Sequence, residues 1–401
     1  MKLGIIRERK SPPDRRVVLS PKACKDALER YLELEIIVEP SPIRAFSDDA
    51  YRAEGITVGD IEQCDVLLGV KEVPIESLLE GKKYFFFSHT IKKQPYNRKL
   101  LQAILDKNIE LYDHEVLSNK EGQRVVAFGR YAGIVGAYNG FRTYGLKMAK
   151  FILPKAEDLP NQEALIRELK GVDVSQAKVV LTGKGRVAGG AKEMLDAMGL
   201  KEVDTTSFLK DSFSQGVYVQ LDVLDYVRRK DGSSLGKKDF FENPEDYEST
   251  FMPFAEVANF YIAGHFYGQG APYIFTREDV KNPSFNIQVV ADISCDIDGP
   301  VACTIKPSTI ADPIYGYNPE SESTDDFRKP DVIAVMAVDN LPCELPLDAS
   351  VGFGEQYSEH VLPAFFDGDA SGILSRARMT ENKELTSNFS YLQDYLEEVG
   401  Q

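Results

Sequence analysis

The chain has no tryptophan, only four histidines and only five cysteines. The histidines form no H-E-x-x-H or comparable cluster, so the common zinc-hydrolase signatures are missing and no metal is expected. Cys24, Cys64, Cys295, Cys303 and Cys343 are odd in number and widely scattered. No pair has redox or metal-ligand spacing, which reads as free thiols in a reducing cytoplasm. No apolar run approaches the roughly 18 residues of a membrane span. The opening MKLGIIRERK returns to charge after a very short apolar stretch, so it does not read as a signal peptide. Basic residues are outnumbered 47 to 63, and the net charge of −16 speaks against a nucleic-acid footprint and against an anionic membrane surface. What remains, 43% hydrophobic and 27% charged residues over 401 positions, is the composition of a soluble globular enzyme of two or three domains.

The most informative stretch is KVVLTGKGRVAGGAKEMLDAMG, from Lys178 to Gly199. Val179, Val180 and Leu181 make a strand. Gly183, Gly185 and Ala188 follow as G-x-G-x-x-A, and Ala191, Met194, Leu195 and Met198 recur at helical spacing. Strand, tight turn and helix are the context a dinucleotide fingerprint requires. The first glycine permits the turn, the second lets backbone approach a pyrophosphate, and the small third position lets helix pack on strand. Gly183, Gly185, Arg186 and Ala188 are therefore the cofactor-facing candidates. The competing reading is an ordinary βα turn built from small residues.

Upstream, short apolar strands alternate with helical segments. Lys2–Ile6, Glu35–Val38, Asp65–Val70, Tyr84–Ser88 and Asn108–Leu111 read as strands, and Ser20 with Pro21 reads as the start of a helix. This rhythm implies a parallel sheet with helices on both faces. In such sheets ligands sit beyond the carboxyl ends of the strands, where Lys71 and His89 are placed. Histidine titrates near the working pH of most enzymes, with an unperturbed pKa of about 6.5. Lysine becomes a base only when burial or a like charge lowers its pKa. From position alone Lys71 reads more readily as a solvated strand-end lysine, while for His89 a hydrogen-bonded core histidine is an equal alternative.

Arg16 in RRVVLSP, Lys71 in GVKEVP, His89 in YFFFSHT, the segment LYDHEVL at 111–117 and RVVAFGRYAG at 124–133 occur in that order. Together they resemble the lysine-forming saccharopine dehydrogenase family, and in particular the lysine-ketoglutarate reductase half of the bifunctional animal and plant enzymes. Alanine dehydrogenase and the transhydrogenase N-terminal region are the wider relatives. The likeness runs from Leu3 to about Pro363. It implies condensation of the lysine ε-amine with 2-oxoglutarate to an imine, reduced by a nicotinamide hydride to saccharopine, or the reverse. It implies Lys71 as base and His89 as proton donor, with Arg16, Glu72, Lys92 and Glu115 around the substrate. Three carboxylates on saccharopine suit arginine and lysine partners, while Glu72 or Glu115 suits an ammonium or tunes Lys71.

In the nucleotide half, Tyr131–Met148 reads as a long helix whose Gly133, Gly136 and Gly140 allow close packing. The second strand of a dinucleotide unit is expected at about 200–208, KEVDTTSFLKD, where Asp204 stands near the ribose position. Thr205, Thr206, Ser207 and Lys210 would suit a 2′-phosphate, so NAD or NADP stays open, leaning to NADP. Residues 228–250 are polar and mixed in charge, a surface insertion. Further strands are expected at Ala258–Ala263, Val289–Ile293 and Val332–Val338. The resemblance puts the Leu341 loop near the nicotinamide ribose, makes Asp292 a partner of the cofactor or of a catalytic group, and makes His265 a cofactor-side or substrate-side contact, with a packing histidine an equal alternative.

The expected architecture is α/β: two Rossmann-like domains with parallel sheets and an interdomain cleft. The substrate domain is discontinuous, about 1–128 plus 346–401, and 129–345 binds the dinucleotide. A helix is expected over Leu345–Ala364, and a terminal one over Phe389–Val399. The implied partners are small molecules (lysine, 2-oxoglutarate, saccharopine), with neither nucleic acid nor membrane. An alanine-dehydrogenase-like enzyme, or a nucleotide-binding regulator without chemistry, are the alternatives.

Overall fold

The computed structural model describes residues 1–234 and 236–397. The chain divides into two compact units, one formed by Met1–Phe128 and the segment from Pro346 onward, the other by Gly129–Leu345.

The first unit is built on a six-stranded parallel sheet. Its strands are β1 (Lys2–Ile5), β2 (Glu35–Val38), β3 (Thr57–Val58), β4 (Val66–Leu68), β5 (Lys83–Phe86) and β6 (Glu110–Asp113), in the order β3-β2-β1-β4-β5-β6. The inner strands are almost wholly apolar and buried, as a sheet covered on both faces requires. The chain moves outward from β1 through β2 to β3, then returns to lay β4 on the other side of β1. The order therefore reverses between β1 and β4, and their carboxyl ends form a topological switch point. Ser20 caps the first helix, Pro21–Arg30, by accepting the Ala23 N–H, as its sequence implies. The edge of β6 is closed by the returning chain: the Met379 N–H donates to Leu111 O at 2.8 Å and the Leu111 N–H to Thr380 Oγ1 at 2.9 Å. The helix Pro346–His360 joins the same unit, where Ser350 Oγ accepts the Val17 N–H at 2.9 Å. The terminal segment differs from the single helix expected. It is a 3₁₀ stretch over Ser387–Leu392 followed by a helix over Gln393–Glu397, and Val399 lies outside the described residues.

The second unit holds an eight-stranded sheet. Its strands are β7 (Lys178–Thr182), β8 (Lys201–Glu202), β9 (Val217–Leu221), β12 (Phe260–Ala263), β13 (Val289–Asp292), β14 (Ile314–Asn318), β15 (Ser323–Asp325) and β16 (Ile333–Met336). Strands β10 (Val227–Arg229) and β11 (Tyr247–Ser249) form a separate hairpin. The large sheet runs β15-β14-β16-β13-β12-β7-β9-β8. It is mixed, not purely parallel, because β14 is antiparallel to both β16 and β15. Its switch point lies at β7, flanked by β9 and β12. The helix Gly129–Lys147 packs on the fingerprint helix Arg186–Ala197 through glycines: a Cβ at Gly133 would overlap the Val187 carbonyl, and one at Gly190 would overlap that of Arg130. Gly136 and Gly140 lie against Ile293 and Phe260.

The segment after the fingerprint helix departs from the sequence reading. Only Lys201 and Glu202 are strand, and Thr205–Lys210 is a helix. Asp204 caps that helix by accepting the N–H groups of Thr206 and Ser207 at 2.9 and 3.0 Å. A capping aspartate followed by Thr-Thr-Ser satisfies the first helical turn, and this local signal wins over strand continuation.

Candidate functional site

The first unit concentrates charge where its sheet order reverses. Glu8 follows β1, and its carboxylate accepts the main-chain N–H of Val70 at 2.7 Å and of Lys71 at 2.9 Å. The turn after β4 is thus pinned to the turn after β1. Burial, reinforced by the charge of Asp14, pushes the Glu8 carboxyl up to about 7 against those two hydrogen bonds. Arg16 is buried. It donates from Nε and Nη2 to Asp14 at 3.1 and 2.6 Å and lies 4.3 Å over the Phe128 ring. Arg16 is therefore a rigidly held buried guanidinium and not part of a surface ion pair.

His89 stands at the turn after β5. Its Nε2 is 3.8 Å from Glu72 Oε1, and its Nδ1 is 3.7 Å from Glu115 Oε1. Lys92 Nζ approaches the same Glu115 oxygen at 3.1 Å, and Lys10 Nζ donates to Glu72 at 2.8 Å. Burial alone would raise Glu115, but the imidazole of His89 and the ammonium of Lys92 outweigh it and bring the carboxyl down to about 2. The structure thus brings Glu72, His89, Lys92 and Glu115 together. Lys71 shares the Glu72 turn, and Arg16 belongs to the neighbouring Glu8–Asp14 group. Beside Glu72 opens a hollow of about 380 Å³ bordered by Lys10, Pro74, Tyr96 and Asn97.

Two buried residues that sequence reasoning did not single out organise this cluster. Asp113, at the end of β6, accepts the Ser88 N–H and O–H and the His89 N–H on one oxygen, and the Glu115 N–H on the other. Burial raises its carboxyl, against the bonds from Ser88 and Glu115. His114 pairs its Nε2 with the Gly69 carbonyl at 2.9 Å, and complete burial lowers its pKa to about 4. The signal available for Asp113 was its place at the carboxyl end of an apolar strand run, two residues before Glu115.

In the second unit, Gly183 has φ +104°, and a Cβ there would lie 2.6 Å from the Gly264 carbonyl. Only glycine fits that turn without strain. Gly185 is exposed and caps the fingerprint helix, and a Cβ on it would meet nothing within 4 Å. Arg186 opens the helix, and Ala188 is fully buried against Gly264. An open, glycine-lined helix start of this kind fits a pyrophosphate. Thr205, in contrast, sits in the first turn of the short helix beyond β8, and β8 pairs with β9, not with β7. On the side of β7 that faces β8, the neighbouring strand is β9, and the acid that follows it is Asp222, which the sequence reading passed over. Leu341 is a core side chain against Gly136. Asp292 is fully buried, with its oxygens taken by the Cys295 N–H at 3.0 Å and the Thr304 hydroxyl at 2.7 Å, and burial lifts it to about 6. His265 follows β12. Its Nδ1 is 2.9 Å from Thr182 Oγ1, which is 2.9 Å from the Tyr261 hydroxyl, and burial lowers the imidazole to about 4. Either hydroxyl can donate along this chain, and its direction follows the tautomer of His265. His265 Nε2 has no hydrogen-bond partner among the described residues.

Both units thus carry their charged or glycine-lined turns at the switch points of α/β sheets. Residues 4–135 match the family model described as alanine dehydrogenase/PNT, N-terminal domain. The fold is that of L-alanine dehydrogenase: the two superpose with a TM-score of 0.67 at 16% identity, over 98% of this chain and 100% of that one. A transhydrogenase from Sinorhizobium meliloti shares it with a TM-score of 0.53 at 14% identity, over 96% and 99% of the two chains. In sequence the chain is similar to the mitochondrial alpha-aminoadipic semialdehyde synthase of Mus musculus, 29% identical over 98% of this chain and 47% of that protein. It is also similar to the saccharopine dehydrogenase [NAD(+), L-lysine-forming] of Candida glabrata, 25% identical over 90% of each. The chain spans about half the length of the synthases it matches. The resemblance read from the motifs therefore holds along nearly the whole chain. No helix among the described residues is long and apolar enough to cross a membrane.

Proposed function

We propose that this chain is a nicotinamide-dependent oxidoreductase that reversibly joins lysine and 2-oxoglutarate into saccharopine. The observation that carries the reading is His89 set between Glu72 and Glu115, with Lys92 on the same oxygen, at the strand ends of the first unit. The likeness to lysine-forming saccharopine dehydrogenase supports the choice of substrates.

The chemistry is condensation of the ε-amine with the keto carbon, loss of water to give an imine, and reduction of the imine carbon. The turn from Gly183 to Ala188 would hold the pyrophosphate of NAD or NADP, which when bound supplies the hydride. Loss of the carbinolamine oxygen as water needs a proton, and His89 is placed to donate it. Glu72 and Glu115 flank its two ring nitrogens at 3.8 and 3.7 Å. Lys71 serves as the base that takes the proton from the incoming ammonium. Lys92 and the rigid guanidinium of Arg16 answer the substrate carboxylates. Glu72 and Glu115 also suit an amino-acid ammonium, which explains acids in a site for a tricarboxylate product. Asp292 has its oxygens engaged by its own loop, so its role is to hold that loop, and Leu341, buried in the core, can offer only its backbone to a nucleotide.

The test is absorbance at the reduced-nicotinamide band, with lysine plus 2-oxoglutarate in one arm and pyruvate plus ammonia in the other, each with NADH and NADPH. Oxidation in the first arm alone is expected. Oxidation only in the second would move the chain to alanine dehydrogenase chemistry. Tight nucleotide binding with no turnover in either would leave a nucleotide-binding regulator.

A further inference from the structure

The polar stretch after β9 is not a loose surface loop. It is a small folded excursion made of the β10–β11 hairpin and the helix Lys237–Glu242. Its centre is Arg229, which lies over the Tyr247 ring, pairs with Asp239, and reaches Asp231 and Asp246 at 3.2 Å each. Tyr247 is buried and donates to the same Asp239. Phe240 and Tyr247 join the core of the unit. The excursion is thus anchored independently of its other charges.

One of those charges returns to the sheet. Lys237 Nζ binds both oxygens of Asp222, at 2.9 and 2.8 Å. Asp222 follows β9, the strand hydrogen-bonded to the fingerprint strand, and so occupies the position from which dinucleotide folds read the adenosine ribose. Lys184, inside the glycine turn, lays its Nζ 3.2 Å from the Gln220 carbonyl near the same strand end. Burial would raise the Asp222 carboxyl, but Lys237, the Val223 N–H and the charge of Lys184 together hold it below the usual range. Asp225 also lies here, accepting the Asp222 N–H at 2.7 Å, so two acids and two ammonium groups share the end of β9.

We propose that Lys237, delivered by the 228–250 excursion, is the residue that reads the ribose 2′ position and selects a 2′-phosphorylated dinucleotide. An unpaired aspartate at this point would accept a 2′-hydroxyl and repel a 2′-phosphate. With Lys237 on it, its charge is cancelled, and Lys184 offsets the neighbouring Asp225, so the strand end no longer repels a phosphate. Lys237 is half exposed on a flexible four-carbon stem and has a third ammonium donor beyond the two on Asp222, so it can bridge carboxylate and phosphate without moving the excursion. Without the phosphate it stays on Asp222 and competes with the 2′-hydroxyl for it. This rests on the dinucleotide reading of the Gly183 turn and deepens it.

The experiment is direct titration of the full chain with NADPH and with NADH, followed by fluorescence or calorimetry, for the natural protein, Lys237→Ala and Asp222→Asn. The natural protein should bind NADPH the more tightly. Lys237→Ala should lose about tenfold or more in NADPH affinity, the scale of one charge-assisted contact, and should hold NADH as well or better. Asp222→Asn, which keeps an oxygen for the Val223 N–H, should weaken NADH and spare NADPH. A natural preference for NADH, or equal losses for both nucleotides in Lys237→Ala, would overturn the assignment of Lys237 while leaving the dinucleotide site intact. Failure of the natural protein to bind either nucleotide would remove the dinucleotide reading and this inference with it.

Discussion

The main-chain N–H of His89 donates to Oδ2 of Asp113 at 3.2 Å, the oxygen that also receives the N–H of Ser88 at 2.9 Å and its hydroxyl at 2.5 Å. The other Asp113 oxygen takes the Glu115 N–H at 2.7 Å. One buried carboxylate thus fixes the turn that carries His89, a non-glycine residue at φ 55°, and the turn that carries Glu115. Asp113→Ala would strip four donors of their acceptor. Unsatisfied buried donors cost on the order of 1–3 kcal/mol each before relaxation and water entry, so the first unit should lose roughly 3 kcal/mol or more in urea unfolding. A loss well under about 1 kcal/mol would show that the turns hold themselves.

His89 itself is partly exposed and bears no packing burden comparable to Asp113. His89→Ala should leave the unfolding midpoint nearly unchanged and lower turnover about 10²-fold or more, the usual loss for an acid–base group. Lys71→Met should change the shape of the pH–rate profile as well as the rate. Full activity in the first variant, or an unshifted profile in the second, would take that residue out of proton transfer.

Strand existence was legible from sequence because β4, β5, β7, β12 and β13 are short apolar runs bounded by charge or glycine, and burial on both faces demands that pattern. The Gly183 turn was legible because a positive φ restricts the residue to glycine. Asp222 was not, because sequence order suggests that the first strand after the fingerprint helix lies beside β7. Here that strand is β8, at the sheet edge, and β9 takes the inner place. Which strand neighbours which is a tertiary fact with no local signature. Asp113 was missed for a related reason: its partners Ser88 and His89 lie more than twenty residues away.

The two fingerprint glycines should fail in different ways. At Gly183 a side chain faces both a left-handed backbone and the Gly264 carbonyl, so Gly183→Val should destabilise the second unit itself. At Gly185 a Cβ meets open space at φ −84°, so Gly185→Val should unfold like the natural protein. It should nonetheless bind nucleotide far more weakly, because the added methyls fill the approach to the helix start. Parallel melting curves and nucleotide titrations separate the two outcomes. Unchanged affinity in Gly185→Val would refute the phosphate assignment.

His114 makes the fold acid-sensitive. It is completely buried among Phe87, Phe353 and Tyr357, and its folded-state pKa falls from 6.5 to about 4 because the charged form is desolvated. Between those values the unfolded chain binds the proton and the folded chain does not, so stability rises with pH across that window. The contribution is fully present above about pH 6.5 and is lost progressively as pH falls towards 4. A shift of this size corresponds to roughly 3 kcal/mol. His114→Gln keeps an N–H for the Gly69 carbonyl but cannot take the proton. Other titrating groups, Glu8 among them, act alike in both proteins and cancel in the comparison. The difference in unfolding free energy between natural protein and variant should therefore shift in favour of the variant as pH is lowered from 7 to 4.5. Parallel pH dependence in the two would mean that the folded protein accommodates a charged His114.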